Sequence, residues 1–179
     1  GPILEVALVD CPTPLDLVDE VANQVGVEQR APRLARVAAG RIEQAGISTS
    51  TDTLVQSCTS RLNTGAGIST NDHSIVSDSL SRGNTGAGLS LGAGNLVAND
   101  IVAQNAIGVS AGSGLNAVNT IARDNNSHGF FCFGGAYTSC VSTVNTGDGF
   151  NTDSAIVTAC RSTGNGGVGV TAGNTSLIS

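Results

Sequence analysis

Apolar and polar residues alternate in short runs that repeat at a fixed interval from residue 47 onward. Asparagines mark the register, with steps of 21, 21, 20, 20 and 20 residues between Asn63, Asn84, Asn105, Asn125, Asn145 and Asn165. Columns of apolar or small residues keep the same register before and after each asparagine. A unit of 20–21 residues cannot bury its own apolar face. Successive units must therefore stack on one another.

The pattern inside each unit predicts strands. Short runs with a period of two, separated by Gly and Asn turns, fit one coil of a parallel β-helix. Leucine-rich repeats have a similar period, but the Leu framework they require is missing, and propeller blades need about twice the length. The sequence therefore predicts an all-β parallel β-helix solenoid of about six coils over residues 47–179.

The recurring asparagines are predicted to form a structural ladder. A side-chain amide both donates and accepts hydrogen bonds. Stacked at the strand spacing of about 4.8 Å, each amide can bond to the amide of the next coil. Asparagine also tolerates a left-handed backbone, so we expect these residues at the sharp turns between strands.

Residues 1–46 are predicted to form a separate capping or assembly segment. A short strand is followed by a helix over 13–26, where a threonine cap and a proline stand at the start and a glycine at the end. An Ala- and Arg-rich stretch over 32–46 favours a second helix. Residues 33–46 also match the repeat columns, so a degenerate first coil is the alternative.

The repeat resembles a known family. Its pattern, "xxVxxCTxRxNTGxGI", stands here as "LVQSCTSRLNTGAGI" and "IVSDSLSRGNTGAGL". It is similar to the right-handed parallel β-helix repeats of the pectate-lyase-like superfamily, over residues 47–179. That resemblance implies the fold and an extracellular, cell-surface or virion-surface location. The superfamily includes polysaccharide lyases, glycoside hydrolases, epimerases, phage tailspikes and proteins without known activity, so it does not imply one function.

Enzymes of that superfamily resemble one another in carboxylate clusters, which hold calcium in the lyases, and the lyases use an Arg or Lys that abstracts a proton. This sequence contains no Lys, and its repeats show no matching rows of outward Asp. We therefore predict no catalytic residue, no metal site and no cofactor.

One outward column is apolar, although alternation predicts that it faces solvent. We name it the outer stripe, and it comprises Leu80, Ile101, Ile121 and Val141. A contiguous apolar row on the outer face of a sheet indicates an interface. The sequence predicts a homo-oligomer, a trimer packed sheet to sheet as in tailspike-like β-helices. The alternative is that residues 1–46 or a loop cover the stripe.

The aromatic residues fall between 130 and 150. Phe130 and Phe150 belong to an inward column and should stack in the core. A second group is predicted to face out together, and we name it the aromatic patch: His128, Phe131, Phe133, Asp148 and Asp153. Aromatic faces beside carboxylates suit sugar rings, and a His–Asp contact suits acid–base chemistry. The alternative is a surface pair beside a hydrophobic plug.

Composition narrows the classes of partner. The net charge is −6 and all eight basic residues are Arg, which offers no basic field for nucleic acid. No apolar stretch approaches the roughly 20 residues of a membrane span. The five cysteines lack metal-ligand spacing. Cys140 and Cys160 share a column, and we expect two buried thiols there rather than a disulfide.

Two functions remain open from the sequence. The favoured one is a non-catalytic structural or adhesive β-helical module that associates with itself. The alternative is a carbohydrate-binding or polysaccharide-cleaving β-helix protein that uses the aromatic patch.

Overall fold

The computed structural model describes residues 38–39, 45–173 and 177–178. Within them the chain forms strands that alternate among three sheets. The first sheet contains β1 (Ala38–Ala39), β4 (Thr59–Arg61), β7 (Leu80–Arg82), β10 (Ile101–Ala103), β13 (Ile121–Arg123), β16 (Val141–Thr143) and β19 (Arg161–Thr163). The second contains β2 (Ile47–Ser48), β5 (Ile68–Thr70), β8 (Ala87–Leu91), β11 (Ile107–Ala111), β14 (Phe130–Cys132), β17 (Phe150–Thr152) and β20 (Val170–Ala172). The third contains β3 (Leu54–Gln56), β6 (Ile75–Ser77), β9 (Leu96–Ala98), β12 (Leu115–Val118), β15 (Gly135–Thr138), β18 (Ala155–Thr158) and β21 (Leu177–Ile178).

Every interior strand of a sheet pairs in parallel with the strands one coil before and after it, and each end strand pairs with one neighbour. Ile101, for example, is in register with Leu80 on one side and with Ile121 on the other. The described residues therefore form an all-β parallel solenoid of about six coils, as the repeat predicts. They contain no helix, and so none that could span a bilayer.

The inward columns fill the tube. Phe130 and Phe150 stack one above the other with ring centroids 4.8 Å apart and planes 4° from parallel. Tyr137 packs edge-on against both rings and is fully buried. These contacts confirm the predicted aromatic core, which lies directly beneath the aromatic patch.

Each coil turns at three corners, and one residue at each corner adopts a left-handed backbone. Asp78, Val144 and His73 represent the three corners, with φ angles of 54°, 55° and 55°. At the corner between the third and first sheets, and at the corner between the first and second sheets, the residue after the left-handed one points inward. In most coils its backbone N–H donates a hydrogen bond to the side chain at the equivalent position of the following coil. Asn63 is an example, since its N–H donates to Asn84 Oδ1 at 3.0 Å.

The asparagine ladder is confirmed, but one reason given for it is wrong. Asn63 and Asn84 stack through Nδ2 to Oδ1 at 2.8 Å, and similar bonds continue to Asn165. The left-handed residue, however, stands one position earlier, as at Leu62. The ladder asparagines are therefore selected for their amides and not for backbone tolerance.

The start of the described chain differs from the predicted helix over 32–46. Ala38 and Ala39 form strand β1, which pairs in register with Thr59 and Ser60. At these two residues the structure follows the alternative, a degenerate first coil. The rest of that stretch up to residue 44, and the helix predicted over 13–26, lie outside the described residues.

Candidate functional site

A shallow groove runs over the outer face of the second sheet at its last coils. Its volume is about 290 Å³, and its lining includes Phe131, Phe133, Asn151, Asp153 and Thr171. Phe131 stands on β14 and is in register with Asn151 on β17, which is in register with Thr171 on β20. The groove is thus built from equivalent outward positions of three successive coils.

Three aromatic rings form one continuous surface at this groove. His128 stacks on Phe131 with centroids 5.8 Å apart and planes 21° from parallel. Phe133 meets Phe131 edge-on at 5.5 Å and remains 66% exposed. The predicted grouping of His128, Phe131 and Phe133 is therefore present, with Phe133 exposed and His128 and Phe131 partly exposed.

The hydrogen bonds of His128 define its chemical state. The backbone N–H of Asp148 donates to His128 Nδ1 at 3.1 Å, so Nδ1 carries a lone pair and Nε2 carries the hydrogen. Asp148 Oδ2 lies 3.6 Å from the same Nδ1, which has no hydrogen to give it. The two side chains are neighbours, but they do not form a hydrogen-bonded acid–base pair in this arrangement.

The carboxylate of Asp148 is engaged within the fold. Its Oδ1 accepts the N–H of Val168, and its Oδ2 accepts Asn151 Nδ2 at 2.7 Å and Thr171 Oγ1 at 3.0 Å. Partial burial raises the pKa of Asp148, but these hydrogen bonds outweigh it and leave the pKa below its ordinary value. Asp148 therefore holds neighbouring coils together and orients the groove residue Asn151.

Asp153 lies at the far side of the groove, one coil after Phe133. Its carboxylate sits over Gly173, where a Cβ would come within 1.5 Å of Oδ1. A side chain at residue 173 would therefore displace the Asp153 carboxylate from the position that it occupies here. Asn151 and Thr171 were not predicted as groove residues, although they stand in the register column of Phe131.

The outer stripe lies on the outer face of the first sheet, as alternation predicts. Leu80, Ile121 and Val141 are half-buried, and Ile101 is 40% exposed. A second apolar row on the outer face of the third sheet was missed. It comprises Leu54, Ile75 and Leu96, of which Ile75 is 40% exposed.

Among the described residues, Cys58, Cys132, Cys140 and Cys160 form no disulfide with one another. The N–H of Cys140 donates to Cys160 Sγ at 3.3 Å, which places the pair in one column, as predicted. A hydrogen bond from Cys140 lowers the pKa of Cys160 to about 7. Within the described ranges, no three His, Cys, Asp or Glu side chains cluster closely enough to hold a metal ion.

Comparison with known proteins adds no relative. No protein-family model matches the sequence, and no curated protein matches it significantly. The parallel β-solenoid is therefore established by its strand pairing alone.

Proposed function

We propose that this chain is a non-catalytic adhesive β-helical module that binds a neutral polysaccharide in the groove beside Phe131 and Phe133. The observation that carries the proposal is the partly exposed aromatic surface of His128, Phe131 and Phe133, bordered by amide, hydroxyl and carboxylate groups. Sugar rings present apolar faces for such rings and hydroxyls for such polar neighbours.

The shape and charge of the groove narrow the ligand. Its volume of about 290 Å³ is slightly below the range of small-molecule pockets and suits a few sugar units of a longer chain. The carboxylate in its lining is that of Asp153, and no arginine lines it. Because a carboxylate repels other carboxylates, neutral sugars are favoured over uronic acids.

The hydrogen bonds at the site favour binding without cleavage. Both oxygens of Asp148 accept hydrogen bonds from the protein, and His128 Nδ1 accepts the N–H of Asp148. These contacts use both side chains within the fold and therefore favour a supporting role for them at the groove.

The test is a glycan-binding screen with neutral and acidic polysaccharides, followed by titration of the best ligand. We expect Phe131→Ala to weaken binding at least about tenfold, because it removes the central ring of the surface. Ile156→Ala is the matched control, since Ile156 is 51% exposed on a different sheet. Equal loss in both variants, or no neutral glycan binding at all, would contradict the proposal. Release of reducing ends would contradict its non-catalytic part.

A further inference from the structure

The arginines of the solenoid are segregated on one face. Each arginine between residues 45 and 173 lies at an outward position of the first sheet: Arg61, Arg82, Arg123 and Arg161. The outer stripe runs along the same strands. We name this surface, stripe and arginines together, the arginine face. The third sheet also carries an apolar row, but no arginine lies on its described strands.

The positive charge of this face is mostly uncompensated by the described residues. Arg123 pairs with Asp124 at 2.6 Å, whereas Arg82 Nε donates to the neutral amide of Gln104. Arg61 and Arg82 stand directly opposite each other in the register of β4 and β7. Like charges in opposite positions of a sheet are destabilising, so an acidic partner would be favourable here.

The N-terminal part of the same chain has the complementary composition. Residues 1–29 contain no Arg, Lys or His, and their acidic residues are Glu5, Asp10, Asp16, Asp19, Glu20 and Glu28. The helix predicted over 13–26 carries Leu15, Val18, Val21 and Val25 at helical spacing. It therefore combines an apolar side with carboxylates, while the arginine face combines an apolar stripe with guanidinium groups.

Connectivity and length allow this segment to reach the face. The chain enters the described solenoid at β1, the edge strand of the first sheet. A helix over residues 13–25 is about 20 Å long, and the strands from β4 to β19 span about 24 Å. Residues 26–37 can extend over about 40 Å, which is enough to run along the sheet and return.

We infer that residues 13–25 dock in cis on the arginine face, with their apolar side on the outer stripe and their carboxylates toward Arg61 and Arg82. In this arrangement the segment covers the outer stripe of its own chain. The predicted trimer, which would use the same stripe, is the competing occupant.

The experiment is hydrogen–deuterium exchange of the full chain with a charge swap. An isolated helix of this length is marginal in water, so slow exchange over residues 13–25 requires docking. We expect Arg61→Glu with Arg82→Glu to speed exchange there about tenfold, and Asp16→Arg with Glu20→Arg to do the same. Combining all four substitutions should restore protection to within about threefold of the parent chain.

The matched control is Asn116→Glu, which adds an exposed negative charge to the outer face of the third sheet. It should leave exchange over residues 13–25 unchanged, and strand amides of the solenoid should keep their protection in every variant. Unprotected residues 13–25 in the parent chain, or failure of the combined swap to restore protection, would overturn the inference. Protection that disappears on dilution together with a multimeric mass would also overturn it, in favour of docking on a second copy.

Discussion

The two corners that flank the first sheet are built in opposite ways. The asparagine corner, between the first and second sheets, has the same amide in every described coil, with backbone N–H to Oδ1 bonds of 2.9–3.0 Å. The mixed corner, between the third and first sheets, has no single inward residue type: its inward residues are Cys58, Ser79, Asp100, Thr120, Cys140 and Cys160. Its bonds vary from 2.6 Å at Asp100 to 3.5 Å at Thr120.

The residues with a left-handed backbone show the opposite contrast between the two corners. The mixed corner uses mainly small or polar residues there: Ser57, Asp78, Asn99, Asn119, Ser139 and Ala159. The asparagine corner includes Leu62, Gln104 and Val144, which are unfavourable in this conformation. An inward side chain that both donates and accepts hydrogen bonds stabilises its corner, so the type of residue at the exposed left-handed position is less restricted. Where the inward residues only partly satisfy one another, the backbone preference of the exposed residue matters more.

The largest expected effect is at Asp100 in the mixed corner. Its Oδ1 accepts the N–H of Ser79, while its buried Oδ2 has no partner among the described residues. Burial raises the pKa of Asp100 to about 7, well above that of the unfolded chain. Between pH 4 and 7 the folded state therefore holds a proton that the unfolded chain has released. The free energy of unfolding should fall by up to about 4 kcal/mol as pH rises through this window.

Urea unfolding of the parent chain and of Asp100→Asn, measured from pH 4.5 to 8.5, checks this. The variant has an amide at the same position and should lose most of that pH dependence, and it should be the more stable protein at pH 8.5. Below pH 4 the lowered pKa of Asp148 acts in the opposite direction, so the comparison is confined to the higher range. Identical pH profiles for the two proteins would contradict the assignment.

The next effect tests the asparagine corner. Asn105→Ala removes the acceptor of the Asn84 N–H and Nδ2, and it leaves that buried N–H without a partner. The free energy of unfolding should fall by about 3 kcal/mol in urea titrations. Asn116→Ala, an exposed asparagine on β12, should change it by less than about 0.5 kcal/mol. A cost at Asn105 no greater than at Asn116 would mean that the ladder does not stabilise the coil.

The register of the fold was predictable because stacking places each residue against the residues at the same position of the coils before and after it. Counting from Asn63 places Phe130 over Phe150 and Asp100 in the interior, and both placements are confirmed. The short strand at Ala38 was ambiguous, because Ala-rich sequence suits a helix and the repeat columns equally well.

The candidate site was predictable only in part. The register brings Phe131, Phe133 and Asp153 together, and the period of two directs them outward. The hydrogen bonding of Asp148 was not predictable. Its Oδ1 accepts the backbone N–H of Val168, and the position of that N–H depends on the backbone conformation of the turn and not on a pattern of side chains. The left-handed backbone of the residue before each ladder asparagine was also not predictable, because residues such as Leu62 and Val144 rarely adopt that conformation.

The smallest expected change in the free energy of unfolding is at Val144, on the exposed side of the asparagine corner. Val144 is β-branched, 57% exposed and left-handed, whereas Gly83 and Gly164 occupy the same corner position in other coils. Val144→Gly should raise the free energy of unfolding by about 1 kcal/mol, because glycine adopts this backbone without steric cost. Val168→Gly is the control, since Val168 is 59% exposed without a positive φ and should gain nothing. Equal destabilisation of both variants in urea would show that the backbone at Val144 is not strained, and that the asparagine ladder offsets no steric cost there.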